Sequence, residues 1–243
     1  MPMPVIPLKY QLWFYYGALA CVAMATSMHD STFNNFLAET FHLGADARGH
    51  LEFPRELPGF LVVVMTGLLC MLPMTRVGLV AVFLSTAGLI GLALNGFSYP
   101  FMIVSMVAMS AGVHLLQPVG ASIVIGLSGE HNRGARLGQA AAVSTMATAL
   151  GTGLVWLFMD RAAPQYQTTF LCAAGVFLCG GLFYATMHIP HLHQPRQRLV
   201  FRKAYRLYYL LEFLSGARKQ IFLTFGPWVL IKVYGLPAPS IVG

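Results

Sequence analysis

Glu52, Arg55 and Glu56 stand at i, i+3 and i+4, so on a helix they form one stripe of alternating charge. Such a stripe makes either a cavity network that takes up protons or an ion pair at a membrane surface. Asp30 and Asn34 lie one helical turn apart and share a face, which suits a polar cavity or the capped end of a helix. Ser110, His114 and Gln117 follow at i, i+4 and i+7, a third polar stripe. Histidine titrates near neutral pH and relays protons, although a histidine hydrogen-bonded to a neighbouring helix needs no such role. Arg218 and Lys219 are adjacent within the last apolar stretch. If that stretch starts at Arg206, Arg218 reaches the middle of a bilayer. There it and Lys219 would bind an anionic group of a solute or pair with acids from the first two spans. If the stretch starts near Gly216, both are anchors at the membrane surface.

These groups are rare against their background. The chain is 57% hydrophobic and 9% charged over 243 residues, far below the roughly 25% charge of a soluble domain. A charge inside a membrane costs about 2.5–3.5 kcal/mol on the insertion scale, so such residues are expected to be paired or to face water. The net charge of +7 fits charges flanking membrane spans and attraction to anionic lipid, with no aromatic-basic module for nucleic acid.

No enzyme constellation is present. There is no Walker loop and no His-Glu-x-x-His. His188, His191 and His193 lack a fourth ligand and read as a solvated loop, so neither a metal nor a cofactor is expected. Cys21, Cys70, Cys172 and Cys179 all fall in apolar runs and read as small packing residues. The N-terminal apolar run has one positive charge and a polar continuation, His29-Asp30-Ser31-Thr32, and reads as a retained span rather than a signal peptide.

The elements that position these residues are membrane-length helices. A crossing helix needs roughly 20 mostly apolar residues. Stretches at 8–28 (or on to 36), 57–75 (or from 51), 77–95, 100–127, 137–159, 169–187 and 207–233 qualify. They are too long, and apolar on too many faces, for barrel strands. Short connections such as Asn95-Gly96-Phe97-Ser98-Tyr99-Pro100 make neighbours antiparallel. Alternation then gathers Lys9, Arg76, Arg133, Arg136, Arg196, Arg198, Arg202, Lys203 and Arg206 on one side. Arg48, Arg55, Arg161 and Lys232 fall on the other. Positive clusters stay cytoplasmic, which puts the N-terminus inside, with a bacterial inner membrane as the expected location. Ser144, Thr148 and Thr152, four apart in a span rich in small residues, read as helix-packing contacts.

The first and last spans open alike, with Tyr10-Gln11-Leu12-Trp13-Phe14-Tyr15-Tyr16 and Tyr205-Arg206-Leu207-Tyr208-Tyr209, and both close on an aromatic followed shortly by Gly. Repeated halves mark secondary transporters. Six spans, a basic loop and a seventh span like the first resemble the major facilitator superfamily. Met74-Thr75-Arg76-Val77-Gly78 matches the Arg-x-Gly part of that family's loop after the second span, with Thr75 at the Asp position. His114-Leu115-Leu116-Gln117-Pro118-Val119-Gly120 is similar to its Arg-x-x-Gln-Gly-x-Gly, with His114 at the Arg position. Arg133-Gly134-Ala135-Arg136-Leu137-Gly138 is similar to its entry to the fifth helix. The resemblance implies an all-α polytopic bundle with residues 1–190 as a six-helix half, 191–206 as a basic cytoplasmic loop, and 207–243 as the start of a second half. Because family members have twelve or more spans, the chain reads as an incomplete transporter, joined by its missing half or a second copy. It implies transport of a small solute by alternating access, coupled to protons, with Arg76, Gly78, Arg133 and Arg136 in gating loops, while Arg218 and Lys219 point to an anionic solute. The competing expectations are a non-transporting membrane scaffold on the same fold and an inactive fragment.

Overall fold

The computed structural model describes residues 8–160, 164–189 and 202–235. They form seven long helices: α1 Leu8–Thr40, α2 Ala45–Leu68, α3 Met74–Asn95, α4 Tyr99–Leu127, α5 Arg133–Phe158, α6 Tyr166–Thr186 and α7 Arg206–Lys232. Single 3₁₀ turns, Glu130–Asn132 and Lys203–Tyr205, lead into α5 and α7. There is no strand among the described residues, so the chain is the all-helical bundle that its apolar run lengths predict.

Two boundaries differ from the sequence reading. α1 runs to Thr40 rather than ending at 28 or 36, because its polar last turns are held by side chains instead of being released to water. α2 starts earlier and ends earlier than 57–75. Residues 69–73 form the turn instead, and Pro73, which has no N–H to donate, stands at the N-cap of α3. Glu52, Arg55 and Glu56 therefore sit within α2 rather than at its entrance.

Four helices, α3 to α6, are long and apolar enough to cross a membrane. α1 and α2 reach that length but carry Gln11, His29, Asp30, Asn34 and Asn35 on one, and Arg48, Glu52, Arg55 and Glu56 on the other. Their polar faces turn into the bundle: Gln11, His29, Thr32, Asn35 and Arg48 are all buried. The outward surface is apolar, with exposed Phe60, Val64, Leu68, Phe83, Leu94, Leu150 and Leu182. Exposed aromatics collect at both ends, Trp13 and Tyr10 at one and Phe97, Tyr99 and Phe158 at the other. That is the pattern of a protein whose solvent is a bilayer with two aromatic-rich interfaces.

Packing sets the relative positions. α3 lies against α4 and α6, α1 against α5 and α6, and α2 against α4, while α7 touches α1 and α2. The α3/α4 crossing is the closest. Gly88 meets the backbone of Met109, and Gly112 meets the Ala81 carbonyl and Ser85 from the opposite side. Without hydrophobic drive between helices in lipid, such glycine approaches let van der Waals packing hold the bundle. Ser85 Oγ adds a hydrogen bond to the Met109 carbonyl at 3.4 Å. At one end of the bundle Phe36 gathers Phe41, Phe97, Tyr166 and Phe170 in edge-to-face contacts. At the other, the His188 amide donates to Gln11 Oε1 at 3.1 Å, tying the end of α6 to the start of α1. Thr152 of α5 approaches Ser31 of α1 at 3.5 Å, a packing contact of the kind its spacing suggests, whereas Thr148 is exposed.

A charged cleft between α1, α2 and α4

Asp30 and Asn34 project from α1, Glu52, Arg55 and Glu56 from α2, and Ser110 and His114 from α4. Packing of α2 on α4 and the long reach of α1 bring these three stripes together. Two prolines inside α2, Pro54 and Pro58, break its hydrogen-bond ladder in this region, since neither donates an N–H. There the Ser110 hydroxyl donates to the Arg55 carbonyl, pinning α2 to α4.

The charged groups form a continuous chain. Arg48 donates through Nε to Asn34 Oδ1 at 3.0 Å and through Nη1 to Glu52 Oε1. The same Glu52 oxygen accepts from Arg55 Nη1 at 3.1 Å. Arg55 Nε stands 4.0 Å from Glu56 Oε1, and Glu56 Oε2 stands 3.4 Å from His114 Nε2. On α1, His29 Nδ1 and Asp30 Oδ1 are 2.9 Å apart. His29 is buried and stacks on Phe33 with centroids 4.7 Å apart.

A cleft of about 70 Å³ opens among Thr26, His29, Asp30, Arg55, Glu56, Ser110 and His114. That is room for a few water molecules. The Asp30 side chain is 54% exposed although it lies deep along α1, so it faces this opening. Met106, Met109 and Val113 supply the apolar wall. Acid, base and imidazole groups around a small wet space can bind, hold and pass protons.

Of the residues singled out in the sequence, Asp30, Arg55, Glu56 and His114 line this cleft, and Asn34 and Glu52 belong to the attached polar chain. Gln117 is exposed and lies outside it. The one-turn step from His114 to Gln117 carries it past the cleft. Arg218 and Lys219 fall within the backbone of α7, but their side chains lie outside the described residues. As a helix, α7 begins at Arg206. Arg76 is exposed at the start of α3, while Gly78, two residues on, is buried against the Tyr184 ring of α6. Gly78 thus serves helix packing in this structure rather than a loop. Arg133 is exposed and Arg136 donates to Gln139 at 2.9 Å, both in the first turn of α5. The basic run 191–201, with His191 and His193, lies outside the described residues. Ser110, named in the stripe with His114, lines the cleft as well, whereas His29 and Arg48 were not singled out as site residues. His29 stands beside Asp30, and Arg48 precedes Glu52 by the i, i+4 spacing that pairs charges on a helix.

No family model and no curated protein matches the chain. Solved structures do. The peptide transporter POT in complex with sulfate superposes with a TM-score of 0.58 at 19% identity, covering 91% of this chain and 46% of that one. A single-residue mutant of the same transporter gives 0.57 at 19% identity, covering 90% and 46%. The same mutant with sulfate also gives 0.57 at 19%, covering 91% and 46%.

The chain shares the helical-bundle fold of these solved structures. At this level of identity the likeness concerns the arrangement of helices. The chain spans about half the length of the solved transporters it matches.

Proposed function

We propose that this chain is part of a secondary transporter of the major facilitator type, moving a small solute by alternating access and coupled to protons. The observation that carries the reading is the water-accessible, charge-lined cleft among α1, α2 and α4, set within a fold shared with solved transporters. Charged groups are retained inside an apolar bundle only where they are paired or wetted, and here they are both.

The roles divide by chemistry. The cleft gathers two carboxylates and an imidazole, so Asp30, Glu56 and His114 act in coupling. A proton arriving from water is held on a carboxylate or on the imidazole, which weakens or strengthens the Glu56–His114 and Arg55–Glu56 pairs. The Glu56–His114 pair ties α2 to α4, and Arg55 competes for the same carboxylate from within α2, so the protonation state biases how the two helices sit. The solute site is a larger space, completed by the remaining transporter half or by a second copy. Arg218 and Lys219 on α7 favour an anionic group there. The chain lies in the bacterial inner membrane with its N-terminus cytoplasmic, on the side of Arg76, Arg133, Arg136 and the basic run.

The test is uptake into proteoliposomes that hold this chain together with the half or second copy that completes it, with a panel of small carboxylates, dipeptides and neutral solutes, with and without an inward proton gradient. The expected result is gradient-driven uptake of at least one anionic or zwitterionic solute, abolished by a protonophore. Absence of gradient-dependent uptake across the panel, with correctly folded protein in the vesicles, overturns the reading.

A further inference from the structure

Away from the cleft, α7 meets the start of α2, and two buried donors there have no acceptor. Arg48 is fully buried at 0% exposure, and its Nη2 lacks a hydrogen-bond partner. Trp228 of α7 is 3% exposed, and its indole Nε1 also lacks one. The two side chains touch: the Arg48 guanidinium carbon lies 6.0 Å from the Trp228 ring centroid. Lys232, exposed one turn further along α7, places its Nζ 5.5 Å from the same centroid. A buried donor left unmade costs about 1–3 kcal/mol, more for a charged group. Two at one seam, beside a second cation, mark a place built to receive negative charge.

From this geometry we infer that a monovalent anion of chloride size binds between Arg48 and Trp228, at the junction of α2 and α7. The donor set selects the class. Arg48 has already given Nε to Asn34 and Nη1 to Glu52. The Nε–Nη2 edge, the fork that a carboxylate or phosphate takes from a free guanidinium, is thus already half used. What is left without a partner is the Nη2 group with its two hydrogens, one indole N–H and an aromatic wall. A single spherical acceptor satisfies both donor groups, whereas a tetrahedral oxyanion would bring more oxygens than they can bond. Lys232, at the exposed edge, adds attraction along the way in. The Glu52 carboxylate on Nη1 confines the anion to the Nη2 side. Bound there, the anion fastens α7 to α2. It also leaves Glu52 shared between Arg48 and Arg55, at the head of the chain that leads to His114.

The experiment uses the full chain in detergent with Trp13→Phe and Trp156→Phe, leaving Trp228 as the sole indole. Sodium chloride is titrated against sodium gluconate at constant ionic strength, with sodium sulfate as a further arm. Trp228 emission is expected to change saturably with chloride and not with gluconate or sulfate. In Arg48→Gln the half-saturating chloride concentration is expected to rise by about tenfold or more. Chloride is also expected to raise the melting temperature of the parent over gluconate, as a ligand specific to the folded state must. That increment should shrink in Lys232→Gln and vanish in Trp228→Phe. Equal responses to chloride and gluconate, or to chloride and sulfate, overturn the proposal. If Arg48→Gln does not fold, Trp228→Phe decides alone, and a full chloride increment in that variant sinks the site. No solute movement is read, so failure of the transport reading leaves this result intact.

Discussion

Glu56 on α2 and His114 on α4 face each other with carboxylate oxygen and imidazole nitrogen 3.4 Å apart. The two side chains are half-buried, and Asp30 from a third helix lines the same cleft. A histidine and an acid from different helices make a proton-dependent tie between those helices. His114→Ala is therefore expected to remove the pH dependence of solute uptake while leaving the protein in the membrane. Glu56→Gln should do the same, because it leaves the imidazole without a charged partner. Comparing uptake across pH 5.5 to 8 in about half-unit steps reads the effect. Persistence of the wild-type profile in both variants would assign the pair to structure alone.

Arg48 is the most deeply buried charge described. Its guanidinium holds Asn34 on α1 and Glu52 on its own helix, and lies over Trp228 of α7. Removing one member of a buried ion pair strands the other, at a cost of about 3–5 kcal/mol. Arg55 also bonds Glu52, at 3.1 Å, so the lower end of that range is expected for Arg48→Ala. The readout is a fall in melting temperature in detergent, larger than that of Arg76→Ala, whose side chain is exposed. Equal melting temperatures would show that Arg48 holds nothing together.

Much of the fold was legible in the sequence, and the reason is solvent. A bilayer demands long apolar runs with internally bonded backbone, so α3 to α6 are marked by composition within a few residues of each end. α2 was harder. Its apolar run spills past the helix end to Pro73, and its charged first half looks like a loop until Arg48 and Glu52 are seen as partners. Part of the cleft was also legible. The spacings of Asp30, of Glu52, Arg55 and Glu56, and of Ser110 and His114 each define a face. Nothing in the spacing says that α2 and α4 turn those faces toward one another, because that depends on tertiary packing. Gln117 shows the same limit: it shares a stripe with His114 on a helical wheel yet stands outside the cleft. Trp228 carried no signal at all, being one aromatic among many in an apolar helix.

The α3/α4 crossing offers a prediction about packing. Gly112 has the Ala81 carbonyl and Ser85 where a Cβ would stand, and Gly88 has the Met109 backbone. Backbone cannot yield as the tip of a flexible side chain can. Gly112→Val is expected to cost about 1–3 kcal/mol through overpacking, and to reduce the monodisperse fraction in fluorescence-detected size exclusion. Gly153→Val, at a position with nothing within 4 Å, is the matched control and should behave as wild type. If both variants behave alike, the close approach of α3 and α4 is not as described.

Asp30 allows the wetness of the cleft to be read directly. Its side chain is 54% exposed, whereas Thr32, two residues on, is fully buried at 0%. Cys21, Cys70, Cys172 and Cys179 are free and must first be replaced by Ser or Ala. In that background Asp30→Cys is expected to react with a charged, membrane-impermeant maleimide in sealed vesicles, from one side only. Thr32→Cys should stay unlabelled until the protein is unfolded in detergent. The difference follows from the thiolate, which is the reacting species and forms only where water reaches. A lipid-facing residue and one in dry packing both fail to label, so reaction at position 30 alone identifies an aqueous opening between α1, α2 and α4. Silence at both positions would mean that the cleft is dry, and with it would go the coupling role of Asp30, Glu56 and His114.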